Sequence, residues 1–127
     1  MTGVQTCALP IYEGNIKGYS YALRSHQKID VKDARVLIVK FVEELVERIN
    51  NELKNPIEIK NLEIYIYFFD AERDRPYTQD IGLAIVTLIY EEVRFSVDRK
   101  GTFDLETIHV EPYAQAYEKV MGKKYEP

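Results

Sequence analysis

The hydrophobic rhythm of the chain changes near its middle, and the change separates one kind of element from another. From about Val31 to Glu52, the residues Ala34, Leu37, Ile38, Phe41, Val42, Leu45, Val46, Ile49 and Leu53 recur every third or fourth position. That spacing lines apolar side chains along one side of a helix. Asp30 is placed to cap it, because its carboxylate can accept from the free N–H groups of the first turn, and Asp33 adds negative charge where the helix dipole favours it. Lys40, Glu43, Glu44, Glu47 and Arg48 form the opposite, solvated side, with Glu44 and Arg48 one turn apart. Asn50, Asn51, Asn55 and Pro56 then stop the helix.

From Glu58 onward the period is two. Leu62, Ile64, Ile66 and Phe68 alternate with Glu63, Tyr65, Tyr67 and Phe69, which predicts a strand with one aliphatic and one aromatic side. The polar stretch from Ala71 to Asp80 contains Pro76 and is expected to be a loop. Leu83 to Tyr90 is apolar on both sides, as in a central strand covered above and below. A tight turn at Glu91 and Glu92 leads to a strand carrying Val93, Phe95 and Val97, and Phe103 to Val110 is expected to pair back on it.

A short helix closes the chain. Pro112 suits its first turn, Tyr113, Ala116, Tyr117, Val120 and Met121 make its apolar stripe, and Gly122 is a natural stop followed by Lys123 and Lys124. Upstream of the long helix, Lys17 to Leu23 alternates with Tyr19, Tyr21 and Leu23 on one side, so a first strand is expected there. The order is strand, helix, strand, strand, strand, helix. The fold class is α+β, with an antiparallel sheet of about four strands packed on one long helix. That order resembles the cystatin-like arrangement, but the QxVxG signature of those inhibitors is missing, and fold alone carries no function.

Composition narrows the classes. With 46% hydrophobic and 30% charged residues the chain is an ordinary globular sequence, and a net charge of -4 offers no basic footprint for nucleic acid. No run approaches the roughly 18 apolar residues that a membrane-spanning helix needs, so no transmembrane segment is expected in this fragment.

The opening run MTGVQTCALPI resembles a translated short-read sequencing adapter. Residues 1–11 are therefore expected to be a non-native, disordered scar, and residues 12–127 a single domain truncated at its N-terminus. The only cysteine, Cys7, falls inside that scar, which leaves the domain without a thiol for disulfides, metal ligation or nucleophilic attack.

Two stretches, ARVLIVKFVEELVERINN (Ala34 to Asn51) and HVEPYAQAYEKV (His109 to Val120), resemble a family of small bacterial proteins, mostly classed as lipoproteins of chlamydia-related bacteria. Here Val110 stands where that family has an acidic residue, and the segment after Asn51 is shorter. The resemblance carries no activity with it. It implies a lost N-terminal signal and a cell-envelope or secreted location.

Candidate chemistry is sparse. Asp70, Glu72 and Asp74 have the spacing of the first ligands of a calcium loop, but Arg75 replaces the required glycine and Ile81 stands where the bidentate glutamate belongs. No metal site and no cofactor are expected. His109 and Glu111 are the only candidate acid/base pair, since a carboxylate beside an imidazole can hold its tautomer. No nucleophile accompanies them, and a strand end followed by a helix cap also accounts for both. Ser20 and Ser25 lack a nucleophile-elbow context, and His26 lies in a polar, exposed segment.

The most distinctive feature is aromatic. Tyr65, Tyr67 and Phe69 project opposite the aliphatic row, and Tyr19 and Tyr21 are expected to join them as a surface for a ligand or for an unknown protein or envelope partner. Packing against another element, or cross-strand pairing, would account for the same residues. Two functions follow: a non-enzymatic binding or structural domain, or a small ligand-binding or enzymatic domain using the concave sheet face near His109. A pocket lined by His109 and tyrosines would favour the second, and a filled core with a tyrosine patch the first.

Overall fold

The computed structural model describes residues 4–9, 12–13, 16–17, 19–52 and 57–126, with side chains from Tyr19 onward. Leu53, Asn55 and Pro56, assigned above to the helix stripe and its stop, lie outside the described residues. The elements in order are β1 (Val4–Leu9), β2 (Tyr12–Glu13), β3 (Ile16–Lys17), β4 (Tyr19–Ser25), α1 (Val31–Glu52), β5 (Leu62–Asp70), β6 (Arg75–Pro76), β7 (Ile85–Ile89), β8 (Glu92–Asp98), β9 (Leu105–Pro112) and α2 (Tyr113–Met121).

The α+β expectation holds, but the sheet is mixed rather than antiparallel, and it is wider than four strands. Its order is β1-β4-β5-β7-β8-β9, with the short β6 pairing on β5, and β2 and β3 pair with each other. β4 runs parallel to β5, from Tyr19 opposite Leu62 to Ser25 opposite Phe68. The reason is α1: a helix of 22 residues carries the chain back along the sheet by about 33 Å at ~1.5 Å per residue, so the next strand starts at the same end as the last. The cystatin-like order is therefore inexact. Val4–Leu9, expected to be disordered, runs antiparallel to β4. Without it β4 would be a bare edge, whose unpaired N–H and C=O groups accept any extended backbone.

The long helix begins where its cap predicts. The Asp33 N–H donates to the Asp30 carboxylate at 2.9 Å. Ala34, Ile38, Val39, Val42 and Ile49 are buried, with Leu37, Phe41, Leu45 and Val46 packed around them. This stripe shares one buried core with Leu62, Ile64, Ile66 and Phe68 of β5, all fully buried. Register extends the same layer to Val86 and Leu88 on β7 and to Val93 and Phe95 on β8. α2 adds Tyr113, Ala116 and Tyr117 to this core. Its end is the expected one, Gly122 in the left-handed conformation at φ +70°. Met121, assigned to its apolar stripe, is instead exposed, one position past the last core contact.

Two turns differ from expectation. The loop after β5 folds back at once, pairing Phe69 with Pro76 and Asp70 with Arg75 as β6. The β7–β8 turn falls on Tyr90 and Glu91, not Glu91 and Glu92, and both residues have positive φ, 50° and 64°. Positive φ at both central positions matches the right-handed twist of a two-residue hairpin. It is held without glycine, and the Tyr113 N–H donates to the Glu91 carbonyl at 2.7 Å.

Packing of this kind makes two substitutions informative. Ile66→Ala removes a fully buried side chain from the core between α1 and the sheet, and urea denaturation is expected to show a loss of about 2–5 kcal/mol. Gly82→Ala places a methyl 2.9 Å from the Ile29 carbonyl oxygen, which also receives the Leu83 N–H. Because both sides of that contact are backbone, a loss of about 1–3 kcal/mol is expected in the same measurement.

Candidate functional site

Glu111 gathers Arg35, His109 and Lys119 around one buried carboxylate. It lies near the end of β9, opposite Val93, on the side of the sheet that faces the helices, and it is 2% exposed. His109 shares that side because it is two residues away in the same strand. Arg35, one residue after Ala34 on α1, reaches across to it: Nε is 3.1 and 3.0 Å from the two carboxylate oxygens, and Nη2 is 2.6 Å from Oε1. The His109 Nε2 lies 2.9 Å from Oε1, and the Lys119 ammonium on α2 lies 3.7 Å from Oε2. The Phe95 ring underlies the group, 5.7 Å from both the His109 ring and the Arg35 guanidinium.

The electrostatics follow from this geometry. Burial by itself pushes the Glu111 carboxyl up, but the Arg35 hydrogen bonds and charge, with Lys119 and His109, outweigh it and hold the pKa below the usual carboxylate range. Glu111 is thus a fixed anion joining α1, β9 and α2. It does not cap the helix after it, since α2 begins at Pro112 without a side-chain cap. His109 keeps one side exposed to solvent. Its carboxylate partner is shared with two stronger cations, and no hydroxyl or thiol stands at its free nitrogen among the described contacts. The arrangement orients an imidazole against a carboxylate that Arg35 already engages.

The tyrosine surface is divided by the sheet. Tyr65, Tyr67 and Phe69 project away from the helices, but Tyr19 and Tyr21 do not join them. Parallel register sets Tyr19 opposite Leu62 and Tyr21 opposite Ile64, so both share the helix-covered side, with Tyr19 buried and Tyr21 packed against the core. Their places on the outer side are taken by Ala22, opposite Tyr65, and Arg24, opposite Tyr67. The Arg24 guanidinium lies 4.2 Å from the Phe69 ring centre. Phe69 is itself buried, with Tyr67 edge-on to it. Across the sheet, Tyr65 leads through Thr87 and Arg94 to Val110, which is 42% exposed. The Tyr65 hydroxyl donates to Glu63 at 3.2 Å, and burial and that carboxylate raise its pKa.

Asp70, Glu72 and Asp74 form the turn between β5 and β6, where the Glu72 N–H donates to Asp70 and Asp74 lies 3.8 Å from Arg24. Arg35 and Lys119 were not legible as site residues, because they meet Glu111 only once the helices are docked. The one local signal was a cation beside the apolar stripe of α1. Comparison of the chain with protein-family models, with characterised proteins and with solved structures finds no match.

Glu111→Gln should separate stabilisation from chemistry. It leaves Arg35 without an anion, and with His109 and Lys119 half exposed the expected loss is about 2–3 kcal/mol, below the 3–5 typical of breaking a fully buried pair. Because the folded-state pKa of Glu111 is depressed, its stabilisation is complete above the ordinary value of 4.5 and is lost as pH falls through the lower folded value. Denaturation midpoints measured across that acid range should therefore fall more steeply for the parent than for the variant.

Proposed function

We propose that this chain is a non-enzymatic binding domain of a bacterial envelope or secreted protein, and that it engages a protein or envelope component through the outer face of its sheet. One observation carries the reading: α1 and α2 pack on one side, so Tyr65 and Tyr67 stand half-buried on a side that no helix covers among the described residues, flanked by Arg24 and Arg94. Tyrosine and arginine dominate the energetics of recognition surfaces, since each offers a large apolar body with a polar end.

The alternative, an enzymatic or ligand-binding use of the concave face near His109, has less support. That face is filled by α1, and Glu111 is already engaged by Arg35. The envelope or secreted location rests on the resemblance of Ala34 to Asn51 and His109 to Val120, and on nothing else.

Co-sedimentation with isolated envelope fractions tests the proposal. A Tyr65→Ser, Tyr67→Ser double variant should weaken association by roughly tenfold or more, while His109→Ala should fold and bind as the parent does. Loss on His109→Ala with retention in the double variant would reverse the assignment.

A further inference from the structure

A second feature lies at the opposite side of the molecule from the tyrosine surface, where the C-terminal half of α1 passes the start of β5, the β7–β8 turn and the start of α2. These elements enclose a cleft of about 920 Å³. Its walls are largely apolar, from Val46, Ile57, Ile59, Tyr113 and Tyr125, and the carboxylates of Glu43 and Glu91 stand at its rim. Tyr113 is buried and donates from its hydroxyl to Glu43 Oε2 at 2.7 Å. The Tyr125 ring stands edge-on to Tyr113 and Tyr117, with centres 5.5 and 5.0 Å apart.

The charges of this cleft do not balance. Lys60, a cation in its lining, is held 2.9 Å from Glu58. Lys60 also feels the charge of Glu91, but it is the one cation against Glu43, Glu58, Glu91 and Glu126 in the lining among the described residues, and half-buried Glu43 receives only the Tyr113 hydroxyl. An anion kept in apolar surroundings without a counter-charge is unfavourable, and it is tolerated at low cost where a ligand supplies the opposite charge. The phenols report the same field. Burial, then the hydrogen bond and charge of Glu43, push Tyr113 far above the usual tyrosine range. Burial, then Glu43 and Glu91, raise Tyr125.

We propose that this cleft binds a small organic cation, an ammonium group on an apolar body, with the ammonium between Glu43 and Glu91 and the body against Tyr125 and the aliphatic wall. The chemistry is complementary on both counts: carboxylates for the charge, and an aromatic ring whose face attracts a cation while its area buries the rest. A neutral molecule of the same shape would fill the cleft but leave its excess of carboxylates unanswered. An anion would be repelled.

Phenethylamine and its neutral counterpart 2-phenylethanol make the matched probes, titrated at pH 7 into isotopically labelled protein and followed by amide chemical shifts. The amine is expected to give saturable shifts at Glu43, Glu91, Tyr113 and Tyr125, and the alcohol to bind at least roughly tenfold more weakly. Glu43→Gln keeps an acceptor for Tyr113 but removes the charge, and should weaken the amine by a similar factor. Glu91→Gln, at an exposed turn position, gives the same reading if the first variant folds poorly. Equal affinity for the two probes, no saturable shift up to about 10 mM, or an unchanged affinity in the folded charge-removing variant would overturn the proposal.

Discussion

The structure depends on the apolar layer that one side of α1 shares with the sheet. Ala34, Ile38, Val39 and Val42 share that core with Leu62, Ile64, Ile66 and Phe68 of β5, and every one of these eight side chains is removed from water. At roughly 25 cal/mol per Å² of apolar surface, burial on this scale is the dominant favourable contribution to the fold. It also fixes the rest. Because side chains in a strand alternate, committing the even-numbered positions of β5 to the helix sends Tyr65 and Tyr67 to the far side, and register carries that division through β4, β7 and β8.

Against that background the cluster at Glu111 is a fastening between elements. Arg35 comes from the helix, Glu111 and His109 from the edge strand and Lys119 from the last helix, so three parts of the chain are joined through one carboxylate. A pair of this kind contributes less by its attraction than by the penalty for separating it, because either partner alone would be a buried charge. Among the described residues every buried side-chain nitrogen and oxygen has a partner, which fits a domain whose polar interior serves packing.

Much of this was legible in the order of residues. The bounds of α1 follow from the Asp30 cap and the apolar stripe, and the two sides of β5 follow from its alternation. What could not be read locally was how distant segments meet. The parallel pairing of β4 with β5 is set by the length of the crossover between them. The side on which Tyr19 and Tyr21 fall was half visible, since Leu23 shares their alternation and belongs to the core, but only the register with Leu62 and Ile64 decides it. The Arg35–Glu111 pair joins residues 76 positions apart, and the cleft carboxylates Glu43 and Glu91 belong to elements that no local pattern brings together.

The parallel pairing also decides which strand ends gather at the cleft. Tyr19 lies beside Leu62, and Ile89 pairs with Glu92, which pairs with Pro112, so the start of β4, the start of β5, the β7–β8 turn and the start of α2 all share one end of the sheet. Neighbouring strands are spaced about 4.8 Å apart, which puts the first residue of β4 one strand away from the Ile59–Lys60 side of the cleft. Leu9, the last residue of β1, pairs with Ser20 and stands at this end as well, so the ends of several strands gather beside the cleft, and a slip of register at any of them would reshape its opening.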